Sequence, residues 1–258
     1  MPLVALASAD DPRAAPFRRL NDTAYRRQLE QNGPFGGGRV IVEGWKSLDA
    51  ALDSRHRVDV VLVVDTRLDR LRDLLEARRG PEPTILVADQ DTVDAVCGFP
   101  LHRGVVAAAA RGRPQLVENV IGRSRALLAV EGVNDAENLG SLFRSAAALG
   151  VDGVLLDPTV CDPFSRRCVR VSMGHVLRTE LARSPFPEVI DRLEGSGIRT
   201  FALTPDPGAV DIGEVEVGSD DRVAVVVGAE GAGLRSETLD RCGERVRIPL
   251  RSGIDSLN

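Results

Sequence analysis

The stretch Arg222–Gly233, RVAVVVGAEGAG, decides the fold. Val223 to Val227 form an unbroken apolar run. A strand with no polar side reads as one covered on both faces, as in a parallel sheet packed between helices. The run enters Gly228-Ala229-Glu230-Gly231-Ala232-Gly233, where glycines permit a tight turn and close approach of another group to bare backbone. A buried strand feeding such a turn places it at the carboxyl edge of a sheet, where open α/β sheets hold their ligands. Taken alone, the turn reads equally as a link into a helix, and the GxGxxG fingerprint of dinucleotide sites is absent.

Working outward, the second half alternates strand and helix: RALLAVEG (strand), ENLGSLFRSAAALG (helix), VDGVLLD (strand), helices near Phe164–Met173 and Glu188–Glu194, then strands RTFALT and RVRIPL. This predicts a mostly parallel sheet with helices on both faces. Three loops fall at carboxyl strand ends: Glu131–Asn138, Gly228–Gly233 and Pro249–Asn258. The first half alternates in the same way. RVIVEG, VDVVLVVD, TILVAD and GVVAAAA read as strands. SLDAALDSR, RLDRLRDLLEARR (apolar at Leu68, Leu71, Leu74 and Leu75) and the residues from Asp91 read as helices. Asp22 is placed to cap a helix reaching Gln31, with Gly33 as its stop. The organisation expected is a flexible segment 1–20, an α/β domain 21–110, a linker 111–124 marked by the RGRP of Arg111–Pro114, and a second α/β domain 125–258.

Of 258 residues 43% are hydrophobic and 28% charged, a soluble globular composition. No apolar run approaches the roughly 20 residues needed to cross a bilayer. Met1–Ser8 lacks the basic start and full apolar stretch of a secretory signal, so a cytoplasmic protein without a membrane partner is expected. Cys97, Cys161, Cys168 and Cys242 form no CxxC pair, and His56, His102 and His175 do not join them at ligand spacing, so no metal is expected. The net charge of −5 argues against indiscriminate coating of nucleic acid but not against a local basic site. Lys46 is the single lysine; the remaining basic residues are arginines, the better bidentate phosphate ligands.

Two further constellations carry chemistry. In NDAENLGSLFRSAAALG, Asn138 opens a helix, where it can serve as a cap, and Arg144 follows six residues later. That spacing is about 240° of net rotation, so the pair does not share a face by periodicity. In RIPLRSGIDSLN, Pro249 stops a strand and a polar loop leads to Ser256, Leu257 and Asn258. Each has an ordinary structural reading as a capped helix or a strand exit.

In this order and spacing the three stretches resemble the signature motifs of the SpoU/TrmH RNA 2′-O-ribose methyltransferases, a branch of the SPOUT superfamily. CDPFSRRCVRVSMGHV is similar to the family's segment between its first and second motifs. VIVEGWKSLDAAL, VDVVLVV and GFPLHRGVVAAAAR resemble the L30e-like RNA-binding domain that precedes the catalytic domain in many members. The fold so implied is an L30e-like α/β domain followed by a SPOUT α/β domain with a C-terminal trefoil knot. The implied catalytic residues are Asn138, Arg144, Glu230, Ser256 and Asn258, with Arg144 foremost. Thr204, Gly228, Ile248 and Leu257 match positions around the methyl donor, S-adenosylmethionine. Members work as homodimers with the active site at the subunit interface. Family members continue beyond the third motif with a helix that completes the knot, so a further segment after Asn258 is expected; an intact mass above that of these residues would show it.

The reaction implied is in-line displacement at a sulfonium methyl by a ribose 2′-hydroxyl. Alignment alone lowers such a barrier by roughly 7–11 kcal/mol. The motifs contain no histidine to act as base. The family proposal has an arginine, engaged by an RNA phosphate, assisting deprotonation. A guanidinium that stays protonated can alternatively position the phosphate and stabilise developing alkoxide charge. Arg26, Arg27, His102, Arg103, Arg166 and Arg170 are the candidate RNA contacts, with Arg18, Arg19 and Arg167 beside them, and their combined action would be salt-sensitive. With aromatics at 3%, recognition by the shape and backbone of a folded RNA is expected rather than a broad stacking platform. The architecture favours ribosomal over transfer RNA by analogy. The alternative is a non-catalytic RNA-binding or ribosome-assembly factor that retains the fold; bound donor and turnover discriminate. A nicotinamide-dependent enzyme lacks its glycine fingerprint here.

Overall fold

The computed structural model describes residues 2–22, 24, 28, 30, 38–78 and 80–250. In chain order the elements are β1 (Leu3–Ala5), β2 (Arg39–Glu43), α1 (Trp45–Leu52), β3 (Arg57–Val64), α2 (Leu68–Glu76), β4 (Thr84–Ala88), α3 (Gln90–Cys97) and β5 (Val105–Ala110). There follow α4 (Val117–Arg123), β6 (Ala126–Val130), α5 (Ala136–Ala148), β7 (Gly153–Leu156), α6 (Arg166–Val171), α7 (His175–Arg178) and β8 (Glu180–Arg183). The last are α8 (Glu188–Gly195), β9 (Ile198–Leu203), β10 (Val210–Asp211), β11 (Arg222–Val227), α9 (Ser236–Arg241) and β12 (Glu244–Arg247). The chain divides into two compact units, Met1–Arg113 with Pro163–Arg178, and Pro114–Asp162 with Thr179–Asn258. The division at Arg113 lies within RGRP, but the segment around α6 and α7 belongs with the first unit, which chain order alone does not suggest.

The first unit is built on a mixed sheet in the order β1-β4-β3-β5-β2. β1, β4 and β3 run parallel, while β5 runs antiparallel to both β3 and β2. The first residues are not loose, contrary to expectation. Leu3, Val4 and Ala5 pair with Ile85, Leu86 and Val87. Pro12–Phe17 forms a 3-10 turn capped by Asp11, and Leu6, Ala14, Phe17 and Leu20 enter the core with Ile41, Leu62, Leu86, Val96 and Val106. Burying Phe17 and Leu20 contributes about 1.5–3 kcal/mol each, enough to hold a segment whose Ala- and Pro-rich composition reads as unstructured. α3 begins at Asp89, whose carboxylate accepts from Thr92 N–H, and ends at Gly98 in the left-handed conformation. In α2 only Leu71 of the expected leucine stripe is fully buried. Asp22 accepts from Ala24 N–H; the rest of the helix expected through Gln31, including Gly33, lies largely outside the described residues.

The second unit carries a seven-stranded sheet, β10-β12-β9-β11-β6-β7-β8, parallel throughout. The expected linker 111–124 contains α4, whose Val117, Val120 and Ile121 join the core with Leu127, Leu155, Val189, Leu193, Ala224 and Val226. Period-two alternation sends Leu127 and Ala129 to that face of β6 and Leu128 and Val130 to the other. The order matters for the site: β11 inserts between β9 and β6, so the carboxyl ends of β12, β9, β11 and β6 stand side by side. Because all are parallel, the segments that follow them open on one edge of the sheet.

Candidate active site

Glu131 follows the last ladder residue of β6, and its N–H still donates to Val227 O at the end of β11 at 2.9 Å. α5 then begins. Its cap is Asp135, whose carboxylate accepts from the N–H groups of Glu137 and Asn138 at 2.7 and 2.9 Å. Asn138 is therefore not the cap: it lies in the first turn with its side chain free for another partner. Its Nδ2 donates to Oε2 of Glu230 at 2.9 Å, across 92 residues of chain. The polar residues expected to act together from the first and second motifs thus touch. Leu139, Gly140, Phe143 and Ala146 form the buried stripe of α5, which leaves Arg144 on the outward face, exposed. Arg144 makes no hydrogen bond or ion pair among the described residues, so its guanidinium is available to a ligand.

The turn after β11 is closed tightly. Gly233 N–H donates to Ala229 O at 2.9 Å, and Gly231 and Gly233 have φ of 83° and 67°. A Cβ on Gly228 would overlap the backbone of Gly233 and Leu234, so glycine there is a steric requirement of the turn. At the end of β9, Thr204 N–H donates to Val246 O, and its hydroxyl accepts from Asp206 N–H at 3.3 Å. Ile248 follows β12, which ends one residue earlier than expected, and is 41% exposed. Thr204, Gly228 and Ile248 consequently sit at the carboxyl ends of three neighbouring strands. Ser256, Leu257 and Asn258 lie outside the described residues.

Beneath these loops runs a buried polar network that the sequence reading missed. Glu131 is 3% exposed; it accepts from Arg235 N–H and Nε at 2.9 and 2.7 Å and from the Thr238 hydroxyl at 2.7 Å. The Arg235 guanidinium reaches Phe186 O at 2.9 Å and Asp157 at 3.4 Å. The hydrogen bond to Glu131 is the chief cause of an Arg235 pKa above its ordinary value. Asp157, also buried, accepts from Thr159 and from Phe186 N–H. An acid directly after each of two buried strands, AVEG and LLD, was the available signal. The network ties the exits of β6 and β7 to Arg235, two residues past the glycine turn.

The expected RNA contacts divide. Arg26 and Arg27 lie outside the described residues. His102 and Arg103 are exposed in the loop before β5. Arg166 is not a surface cation. It pairs with Glu43 at 2.6 Å with both side chains at most 13% exposed, stacks on Phe99 at 4.4 Å, and its N–H donates to Glu30. Its charge is spent holding α6 to β2, which corrects the expectation of an RNA contact. Arg170 is half-buried on the same helix, and Arg18 is turned inward onto the carbonyls of Ala9 and Asp11. Among the described residues no group of His, Cys, Asp and Glu could hold a metal ion, and no helix is long and apolar enough to cross a membrane.

A parallel sheet whose strand exits unite an Asn–Glu pair and a steric glycine turn, with an unpaired arginine on the adjoining helix, fits the SPOUT-type methyltransferase domain that the motifs resemble, following an α/β substrate-binding domain in the sequence. The comparisons bear this out. Residues 125–258 match the SpoU rRNA Methylase family, and residues 41–115 match the RNA 2′-O ribose methyltransferase substrate binding family. The chain is 42% identical over 251 residues, 96% of it and 85% of the relative, to an uncharacterized tRNA/rRNA methyltransferase of Mycobacterium tuberculosis. It is 27% identical over 218 residues, 84% of it and 82% of the relative, to the 23S rRNA (guanosine(2553)-2′-O)-methyltransferase of Bacillus subtilis. The fold matches an AdoMet-bound rRNA methyltransferase from Sinorhizobium meliloti with a TM-score of 0.79 at 24% identity, over 99% of this chain and 92% of that one. The chain belongs to the SpoU rRNA methylase family and is an RNA methyltransferase.

Proposed function

We propose that the protein transfers a methyl group from S-adenosylmethionine to a ribose 2′-hydroxyl of structured RNA, ribosomal RNA being the favoured substrate. The observation that carries the reading is the Asn138–Glu230 hydrogen bond at the joined exits of β6 and β11, with Arg144 unpaired on the same helix.

The strand exits suit the donor. The Gly228–Gly233 turn offers bare backbone with no Cβ at Gly231 to screen it, and Ile248 presents apolar surface of the kind an adenine ring covers. Gly228, Thr204 and Ile248 would hold the donor, joined by Leu257. When bound, S-adenosylmethionine supplies the electrophilic methyl and a neutral thioether leaving group.

The chain's own residues supply alignment and charge. Asn138 and Glu230 brace each other, so the first-motif helix and the second-motif turn keep a fixed separation. Arg144 engages an RNA phosphate, brings the 2′-hydroxyl into line and stabilises the charge that develops on its oxygen. Its fork grips a phosphate at two points, which a lysine ammonium does not. Ser256 and Asn258 complete the polar set. The first unit supplies RNA affinity, with His102 and Arg103 among its contacts. We further propose that the protein is a cytoplasmic homodimer, which sedimentation velocity would check.

The test is transfer of labelled methyl from S-adenosylmethionine to ribosomal and transfer RNA fractions, followed by nuclease digestion. Label in 2′-O-methyl nucleotides of ribosomal RNA supports the reading. Label on a base, or a folded dimer that binds RNA and transfers nothing, overturns it.

A further inference from the structure

One corner of the first unit gathers groups that the methyl-transfer site does not use. Trp45, the only tryptophan of the chain, opens α1. Its Nε1 donates to Arg103 O at 2.8 Å, which fixes the orientation of the indole. The Arg70 guanidinium, from α2, lies over the ring at 4.4 Å from its centroid. Gly44, with φ of 89°, brings the chain so close beneath Arg103 that a Cβ there would stand 2.6 Å from Arg103 Cδ. Arg67 reaches the same loop: its Cγ would lie 3.2 Å from a Cβ on Gly104. Lys46, Arg67, Arg70, His102 and Arg103 are all exposed.

The local charge is net positive. Lys46, Arg67, Arg70 and Arg103 make no ion pair among the described residues. Of the nearby acids, Asp69 pairs with Arg72 at 3.1 Å, while Asp65, which accepts from Thr66 N–H at 2.6 Å, and Asp73 of α2 keep their charges, so the four cations outnumber the two uncompensated acids. On a chain with net charge −5, four unpaired cations around one partly exposed indole form a local positive field of the kind that draws phosphate.

We propose that this corner is a single-nucleotide clamp: an unpaired base of an RNA loop stacks on the Trp45–Arg70 pair, and Arg67, Arg103 and Lys46 hold the flanking phosphates. The proposal rests on RNA being the substrate and names the feature of RNA that the first unit reads. A guanidinium plane stacked on an aromatic ring presents its outer face to a second π-system and keeps its edge N–H groups for phosphate. The Trp45 Nε1 bond prepays the ordering of the ring, so stacking costs little further entropy. A composition of 3% aromatics supplies no extended platform, but one base needs only one ring. Duplex RNA hides its base faces and offers the corner phosphates alone.

Because Trp45 is the single tryptophan of residues 1–258, its fluorescence reports on this corner. The probes are an RNA hairpin with an unpaired purine loop and a blunt RNA duplex of the same stem, each carrying a distal dye for anisotropy. The expected result is saturable quenching of tryptophan emission by the hairpin with the same Kd as the anisotropy, and weak quenching by the duplex. Arg70→Ala, an exposed change on α2, is expected to weaken hairpin binding by roughly five- to a hundredfold, the range for loss of one stacked base. Arg70→Lys is expected not to restore it, and duplex affinity is expected to change little. Hairpin binding by anisotropy with unaltered tryptophan emission, or equal losses for hairpin and duplex in Arg70→Ala, would overturn the clamp and leave RNA methylation standing. Absence of RNA binding by both signals would overturn both.

Discussion

Glu131→Gln exchanges one carboxylate oxygen for an NH₂ group and removes the negative charge, and its cost follows from the hydrogen bonds it breaks. Glu131 accepts three: two at Oε1, from Arg235 Nε and the Thr238 hydroxyl, and one at Oε2, from Arg235 N–H. A glutamine offers one acceptor oxygen and an amide that only donates. Its best orientation keeps the two bonds at the first oxygen and sets NH₂ against the partly buried N–H of Arg235. One bond is lost with a donor orphaned, at about 1–3 kcal/mol, and the two that survive lose their charge assistance at a few tenths to 1 kcal/mol each. The freed Arg235 charge adds little, because its side chain is 50% exposed and water screens it. The sum is about 2–5 kcal/mol. At about 2–4 °C per kcal/mol for a unit of this size, the methyltransferase unit is expected to melt about 4–20 °C lower by differential scanning calorimetry. S-adenosylmethionine affinity by titration calorimetry is expected to fall with it, because Arg235 anchors the exit of the glycine turn. A melting midpoint within about 1 °C of wild type would refute the reasoning, since orphaning the Arg235 N–H alone is expected to cost about 1–3 kcal/mol.

Gly228→Ala places a methyl against the backbone of Gly233 and Leu234; the turn must open, and donor binding is expected to drop at least tenfold while far-ultraviolet circular dichroism is unchanged. Arg166→Ala leaves Glu43 buried without its partner, and the first unit is expected to lose about 3–5 kcal/mol in urea unfolding. His56 gives a pH dependence. Burial, helped by Arg55 and Arg111, pushes its pKa down to about 4 from 6.5. The unfolded chain then binds the proton more readily than the folded one, so stability is fully present above the unfolded pKa and is lost as pH falls from about 6.5 towards 4. Between pH 7.5 and 5 the loss from this group is about 2 kcal/mol; the unfolding free energies of wild type and His56→Gln, compared at the two pH values, are expected to differ by that amount.

Much of the architecture was legible because burial imposes pattern. VAVVV and VLVV have no polar side, so they belong between layers, and the strands observed at Val223–Val227 and within Arg57–Val64 follow from that alone. What was illegible depends on partners distant in sequence. Leu3–Ala5 becomes a strand only because β4 offers a free edge. Phe17 and Leu20 are core residues because of a pocket made roughly 20 to 90 positions later, and no local periodicity announces it. The same holds at the site. Asn138, Arg144, Glu230 and Gly228 were proposed through motif order, and the structure brings two of them, Asn138 and Glu230, into contact. Glu131, Asp157 and Arg235 were missed because each reads, one at a time, as a solvated charge near a strand end. Arg166 was misjudged for the mirror-image reason: RR in a polar stretch looks exposed until Glu43 and Phe99 are seen around it.

The central claim is that Arg144 drives methyl transfer from outside the donor pocket. It is tested most directly by measuring, side by side, S-adenosylmethionine affinity and the single-turnover rate of RNA methylation for wild type, Arg144→Ala and Arg144→Lys. The account predicts unchanged donor affinity and a rate lowered at least about a hundredfold in both variants. Near-wild-type turnover in a folded Arg144→Ala protein would contradict it.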